Sequence, residues 1–477
     1  MNTECTTEAL AFQAAAGRDV VARFDGGTLT SDGGALLLRE TDRATGLLVR
    51  FAACFTDHRD PARVTPAVEA LVRQRVYGLA LGYEDLNDHD ALRHDPLIAI
   101  LAESADLAAP GAGKSTRNRL ELTGATVADQ ARYKKITVDH DAVDRLLVDV
   151  FVQAHPTTPP TEIILDLDAT DDPVHGAQEG RFFYGYYGHY CYLPLYIFAG
   201  EPLFCARLRS EDRDASAGAI EEVDRIVAPL RTAWPAVRII LRADSGFCRD
   251  GLMTWCETHG VDYVFGLAKN ARLIALIEDE LAEAAAQCTT TGRPARMFAE
   301  RTYQTLDNWS CARRVVAKAE QLTAPADDGE GNRNPRFIVT SLPMTQADAR
   351  TPYEDVYCAR GEMENRIKEQ QLMLFADRTS AATLRANQLR LTLLKIGARI
   401  RITVRTVWIA LASGCPHATL FAQGHATLRR CERGLAELRR LLRDRSRRAE
   451  GQNTPRFHRS WAPTHPRTSQ RVDLEHW

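Results

Sequence analysis

Turn signals and apolar positions alternate at the start of the chain and then give way to a longer period. Phe24-Asp25-Gly26-Gly27 and Ser31-Asp32-Gly33-Gly34 predict extended chain with turns over residues 18–40. Residues 43–105 carry helical spacing. Thr65-Pro66-Ala67-Val68-Glu69 offers an N-cap, a proline at the first helical position and a glutamate in the first turn. The helix it opens is expected to run through Leu71, Val72, Arg73, Arg75 and Val76 toward Gly82. A second helix is expected after Asp88-His89-Asp90.

The pattern changes at residues 161–270. Glu162 to Asp168 reads as a strand, and Phe182 to Phe198, broken by Gly185 and Gly188, suits a strand pair. Leu203 to Leu208 is a third strand, and Ser216 to Leu230 has helical periodicity. Val237 to Asp244 is an apolar strand ending in a carboxylate, followed by a helix over Gly251 to His259 and a strand over Asp262 to Leu267. Strands followed by helices predict an α/β layer. Residues 293–342 return to β character, with Arg313 to Ala317 and Arg336 to Thr340 the clearest strands and a loop over Ala324 to Pro335. Helix is predicted from Val356 to Arg378 and from Ala381 to about Arg447.

Composition narrows the class. The 477 residues suffice for two or three domains, and 45% hydrophobic with 26% charged residues is ordinary for a soluble protein. No run of about 18 apolar residues predicts a membrane span. No basic stretch precedes an apolar core at the N-terminus, so no signal peptide is read. Eleven cysteines without a C-x-x-C pair suggest reduced thiols and a cytoplasmic protein. The net charge of -3 is uninformative, but its distribution is not. Acidic residues crowd Asp85 to Asp106 and Asp166 to Asp172, whereas arginines crowd Arg429 to Arg448. That arginine face either neutralises phosphates or is simply solvated.

Carboxylates at strand ends supply the candidate chemistry. Asp166 and Asp168 are two apart in a strand and share a face, opposite Ile163, Leu165 and Leu167. Asp244 ends a second strand before Ser245-Gly246. In open α/β sheets ligands gather at such strand ends. Two aspartates brought together there repel each other unless a cation lies between them, and magnesium favours hard oxygen ligands. Further on, Tyr357, Arg360, Glu364, Lys368 and Gln371 form one helical stripe. Either Glu364 completes a metal site while Arg360 and Lys368 contact phosphates, or the stripe is an exposed face of salt-bridging pairs.

Taken in order, Ile163-Ile164-Leu165-Asp166-Leu167-Asp168-Ala169-Thr170, Arg242-Ala243-Asp244-Ser245-Gly246-Phe247 and Tyr357-x2-Arg360-x3-Glu364 resemble the DDE transposases of bacterial insertion sequences. The resemblance is to the group whose third motif is Y-x2-R-x3-E-x6-K. Phe55-Thr56-Asp57-His58-Arg59-Asp60, Leu29 to Gly34 and Arg360 to Glu369 look like one subfamily of it, and the likeness spans about residues 18–445. It implies a triad of Asp168, Asp244 and Glu364, spaced 76 residues from 168 to 244 and 120 from 244 to 364. Asp168 is preferred to Asp166 because the family aspartate precedes a small residue and then Thr or Ser. The long second interval fits a β-rich insertion.

The implied fold is an α/β ribonuclease-H-like catalytic core interrupted by that insertion, with an N-terminal mainly helical domain and C-terminal helices. The expected layout is a flexible 1–17, a DNA-end-binding region 18–150, core 155–270, insertion 271–345, the rest of the core and helices 346–448, and a disordered tail 449–477. The implied cofactor is two Mg²⁺ ions, with Mn²⁺ as a substitute. The implied partners are double-stranded DNA, as terminal inverted repeats and target, and a second copy of the chain in the DNA complex. The implied location is the bacterial cytoplasm, at the nucleoid when DNA is bound. Tyr357, Arg360 and Lys368 would contact DNA. The family lysine would fall at Gln371, a departure that puts activity in question.

Other readings remain. Pro110-Gly111-Ala112-Gly113-Lys114-Ser115-Thr116 resembles the end of a P-loop, which would make an ATPase, but Ala108 stands where its first glycine belongs. Ser115 or Thr116 then reads as a helix N-cap. A metal-dependent nuclease without strand transfer and a DNA-binding protein that has lost catalysis are the remaining alternatives. Trp309 is either core or a platform for a flipped base, and His175 is either solvated or a neighbour of the first motif.

Overall fold

The computed structural model describes residues 10–403 apart from 16–17, 23–29, 31, 65, 105, 108, 123–134, 156–157, 186–187, 210–213, 323–332, 344–348, 375–376 and 378. The arginine-rich stretch and the tail expected at 449–477 lie outside the described residues.

The first part of the chain is mainly helical. A hairpin of β1 (Leu10–Ala15) and β2 (Arg18–Ala22) precedes α1 (Ala35–Thr45) and α2 (Leu47–Ala52). Then follow β3 (Phe55–Asp57), α3 (Val68–Leu81), α4 (His89–Leu92), α5 (Pro96–Leu101), α6 (Lys114–Glu121), β4 (Ile136–Val138) and α7 (His140–Gln153). Strands β3 and β4 pair antiparallel. Helix α3 starts at Val68, with Ala67 extended at its N-cap, so Thr65 and Pro66 stand ahead of the helix rather than on it. It ends at Gly82, whose φ of 98° makes the left-handed cap that glycine tolerates.

Helix α3 is buried on nearly every side, and its polar groups are matched accordingly. Arg73 donates to Asp42 at 2.5 Å, and Asp42 also accepts the Leu48 N–H at 2.7 Å, tying the α1–α2 corner to α3. Arg75, fully buried, donates to Glu121 of α6 at 2.6 Å and to the Glu84 carbonyl at 2.8 Å. Such buried charges persist only when paired in this way.

The second part is built on one large mixed sheet. Its elements are β5 (Glu162–Ala169), β6 (Asp172–Pro173), β7 (Phe182–Tyr184), β8 (His189–Tyr192), β9 (Leu195–Phe198), β10 (Leu203–Arg207), α8 (Ala219–Ala233), β11 (Arg238–Ala243), α9 (Asp250–Thr258) and β12 (Asp262–Leu267). They continue with α10 (Ala271–Ala275), α11 (Glu278–Thr291), β13 (Ala295–Tyr303), β14 (Arg313–Gln321), β15 (Arg336–Thr340), α12 (Gly361–Leu374) and α13 (Leu384–Thr403). Eight strands lie in the order β10-β9-β5-β11-β12-β15-β14-β13, and β6-β8-β7 form a small sheet of their own. Strands β5, β11 and β12 are parallel and central, so both of their faces are covered. Leu165, Leu167, Ile239 and Leu241 pack against Val223 and Ile226 of α8 and Met253 of α9. On the other face, Ile240, Val264, Val316 and Ile338 pack against Tyr353.

One expectation needs correction: residues 35–40 of the stretch read as extended chain open helix α1. The segment 271–345 opens with α10 and α11 before its strands, and β15 pairs with β12 to extend the central sheet. Trp309 is only 7% exposed, its ring edge-on to Tyr303 with the Arg313 guanidinium over it, so it is core and no platform for a base. No helix among the described residues is long and apolar enough to cross a membrane, and the cysteines among them are free thiols.

Candidate active site

The parallel register of β5 and β11 sets the geometry. Arg242 lies opposite Asp166 and Ala243 opposite Leu167, so the next residues, Asp244 and Asp168, meet at the C-terminal ends of neighbouring strands. Asp168 is largely buried, its side chain 14% exposed, and accepts the Ala169 N–H at 3.0 Å. Asp244 turns the chain into the short helical turn Ser245–Phe247 by accepting the Gly246 N–H at 2.8 Å.

Asp166 has a different task. Both of its oxygens are taken by Arg242, at 2.5 and 2.8 Å, and both side chains are buried. Arg242 also donates to the Val356 carbonyl at 2.6 Å. One bidentate pair therefore locks β5 to β11 and pins the segment that carries the third motif. Asp166 is thus engaged on both oxygens, whereas Asp168 accepts the Ala169 N–H and has the Arg360 guanidinium at 3.6 Å.

The third motif is not on one continuous helix, contrary to the expected run from Val356 to Arg378. A turn of π-helix (Pro352–Tyr357) and a tight turn (Cys358–Arg360) precede α12. Such a bulge re-aims side chains and often occurs at functional sites. Here it lays Tyr357 over β12. A Cβ added to Gly266 would sit 2.6 Å from the Tyr357 hydroxyl and 3.0 Å from the Ser245 nitrogen, so only glycine leaves room for the ring beside Asp244.

Arg360 joins the carboxylates. Its guanidinium lies 3.6 Å from Asp168 and 3.2 Å from Glu364, and its Nη1 is buried without a hydrogen-bond partner. Burial pushes the Asp168 carboxyl up to about 6; Arg360 opposes the shift, and the charges of Asp244 and Glu364 add to it. Glu364 is half-exposed. Among the described residues no three His, Cys, Asp or Glu side chains converge closely enough to share a metal ion. The donor set nevertheless fits a divalent cation. It offers hard oxygens, and a largely buried Asp168 carboxyl whose compensating guanidinium, Arg360, stands back at 3.6 Å.

The remaining site residues brace this arrangement. Lys368 is exposed on α12, one turn beyond Glu364. Gln371, standing where the family lysine is expected, donates to the Asp171 carbonyl at 3.3 Å and so tethers α12 to the chain leaving β5. His189 lies 3.0 Å from Asp171, and His175 is exposed.

Asp172, 1% exposed, accepts from Thr379 at 2.9 Å, and its other oxygen has no partner. Burial, with the charges of Asp377 and Asp171, pushes its carboxyl from 3.8 up to about 7. The folded chain therefore holds this proton over a window in which the unfolded chain has lost it. Stability falls as pH rises across that window, and the penalty is complete above about pH 7. Asp172→Asn is expected to stabilise the protein by about 2–4 kcal/mol above neutrality and not near pH 4, as read by denaturant melts.

The P-loop-like segment is packing. It follows helix α5 rather than a strand. A Cβ on Gly111 would meet the Gln74 amide at 3.0 Å, and one on Gly113 the Arg93 guanidinium at 2.9 Å. Gly113 itself is the N-cap of α6, in place of Ser115 or Thr116, and Lys114 reaches Asn87 at 3.3 Å.

Comparisons with known proteins cover most of the chain. The family model described as transposase DDE domain group 1 matches residues 12–393. A cryo-electron microscopy structure of a piggyBac transposase synaptic complex with hairpin DNA aligns with 86% of this chain and 84% of that one, at 12% identity and a TM-score of 0.37. No curated protein sequence matches. The family match takes in all three motifs, the helical region and every strand of the central sheet. The chain belongs to the family of transposases with a group 1 DDE domain.

Proposed function

We propose that this transposase binds the terminal inverted repeats of a bacterial insertion sequence, cuts the DNA at their ends and joins those ends to target DNA, using Asp168, Asp244 and Glu364. Family membership makes it a DNA-cleaving and strand-transferring enzyme. The observation that carries the site is the pairing of Asp168 and Asp244 at adjacent parallel strand ends, with Arg360 between Asp168 and Glu364.

These three carboxylates would hold two Mg²⁺ ions, or Mn²⁺ in their place, which when bound supply an activated water or 3′-hydroxyl and neutralise the leaving oxygen. The chain's own groups do the rest. Asp168 gives up its proton as its oxygens take a ligand. Arg360, freed from Asp168 and Glu364, turns to a phosphate oxygen, and Lys368 neutralises a second phosphate farther along α12. Tyr357, wedged over Gly266, fixes the DNA strand relative to Asp244. No covalent protein–DNA bond is needed. Joining two ends calls for two protomers on the DNA, acting in the bacterial cytoplasm.

A nuclease without strand transfer is the second reading. It is tested with a pre-cut repeat end bearing a 3′-hydroxyl, a supercoiled plasmid and Mg²⁺. The transposase reading predicts plasmid joined to the repeat end; plasmid that is nicked but never joined would favour the nuclease. Gln371 gives little support to lost catalysis, because it is engaged in bracing α12.

A further inference from the structure

We propose that the hairpin of β7 and β8 is a stacking platform for DNA bases unpaired at the cut end, with Phe183 and Tyr190 as the receiving rings. The inference rests on the DNA-cleaving reading above.

Every exposed large aromatic ring among the described residues lies on this hairpin: Phe182 at 45%, Phe183 at 49% and Tyr190 at 45%. Phe183 and Tyr190 are directly opposite each other in the register, with ring centroids 5.4 Å apart, edge to face. The Arg181 guanidinium stands 4.5 Å from the Tyr190 centroid. Phe182 and Phe183 are successive residues of one strand, so their rings leave opposite faces. Both faces of β7, the outer strand of its small sheet, therefore carry an exposed ring.

Water is a poor environment for three such rings, and one surface nearby needs them. The hairpin is anchored to the chain that leaves the first motif, since Asp172 of β6 comes four residues after Asp168. His189, beside the hairpin's turn, lies 3.0 Å from Asp171, whose carbonyl accepts from Gln371 of α12. The platform is thus continuous with the site where strands would be cut. Opening a duplex end leaves flat base faces without neighbours, and aromatic rings beside a cation receive bases of any identity. Trp309, the other ring suggested for this task, is buried.

The test compares a short duplex whose terminal base pairs are mismatched with the same duplex fully paired. A 2-aminopurine in the mismatched end reports stacking by its quenching. Wild type is expected to prefer the mismatched end and to quench the probe. Phe183→Ala and Tyr190→Ala should each lose that preference by about tenfold or more, while Phe183→Trp keeps both signals. Thermal melts establish that each variant is folded.

A wild type without preference for the mismatched end overturns the proposal, as do alanine variants that retain it or that weaken on both duplexes equally. Variants altered only in self-association, by sedimentation, would assign the rings to a protein contact and overturn it too. If wild type binds neither duplex, the DNA-cleaving reading fails with it; if wild type binds and cuts but the variants behave alike, only the platform fails.

Discussion

Replacing Asp168 with asparagine is expected to abolish metal-dependent cleavage while leaving the fold intact. An amide is a weak ligand for a hard divalent cation, and removing one member of a group that acts as a unit costs on the order of 10³–10⁴-fold in rate. Stability should move the other way. The Asp168 carboxyl is held up at about 6 by burial and by the charges of Asp244 and Glu364, against an ordinary value of 3.8. Between those values the folded chain keeps a proton that the unfolded chain has lost, so stability is lost as pH rises through the window. A neutral asparagine escapes that penalty, offset in part by the lost attraction to Arg360. Metal-free Asp168→Asn should therefore melt no lower than wild type above about pH 6. Mg²⁺ should raise the melting temperature of wild type alone. Its affinity for wild type should climb with pH through about 6 and then level off, because the proton must leave first. A variant that melts far below wild type would mean that Asp168 is structural.

The second large effect is expected at Arg242. Arg242→Met strands Asp166 as a buried charge and removes the donor to the Val356 carbonyl. Breaking a buried pair from one side costs about 3–5 kcal/mol. Denaturant melts should show that loss, and cleavage should fall as well, because the bond that pins the third motif is gone. Removing both partners, as Asp166→Leu with Arg242→Met, should recover much of the stability but not the position of Tyr357. If the double variant is as unstable as the single one, the pair is not the source of the loss. If Arg242→Met is as stable as wild type, the lock between β5 and β11 does not exist.

These two neighbours, Asp166 and Asp168, mark how far the sequence could be read. That both lie on one face of a strand followed from their spacing, as did the apolar runs of β5, β11 and β12, because buried parallel strands carry near-continuous hydrophobics. The different tasks of the two aspartates depend on Arg242, which is 76 residues away. No local pattern carries such a pairing. The motif itself contains Arg242, and an arginine inside an apolar strand was the available signal that a buried acid awaited it.

The same distinction accounts for the rest. Two of the strands after residue 293, β14 and β15, were legible in part, but not β13, nor that β15 would seat against β12, since register is a property of two segments. The helix expected from Val356 begins instead in a π-turn from Pro352, because helical spacing does not distinguish a regular helix from one with an extra residue in a turn. Gly266 gave no sign of its importance until Tyr357 was seen above it. In α3, Arg73 and Arg75 would ordinarily mark a solvated face; partners from α1 and α6 buried them. The stretch Phe182 to Phe198, which suits a strand pair, holds three strands in two sheets, and exposure cannot be deduced from apolar residues alone, which argue for burial.

The most direct test of the central claim is cleavage of a labelled duplex carrying the element's terminal repeat, with Mg²⁺, comparing wild type with Asp244→Ala. Nicking at the repeat boundary that requires the metal and disappears in the variant is the predicted result. A variant that cuts as well as wild type would contradict the assigned site.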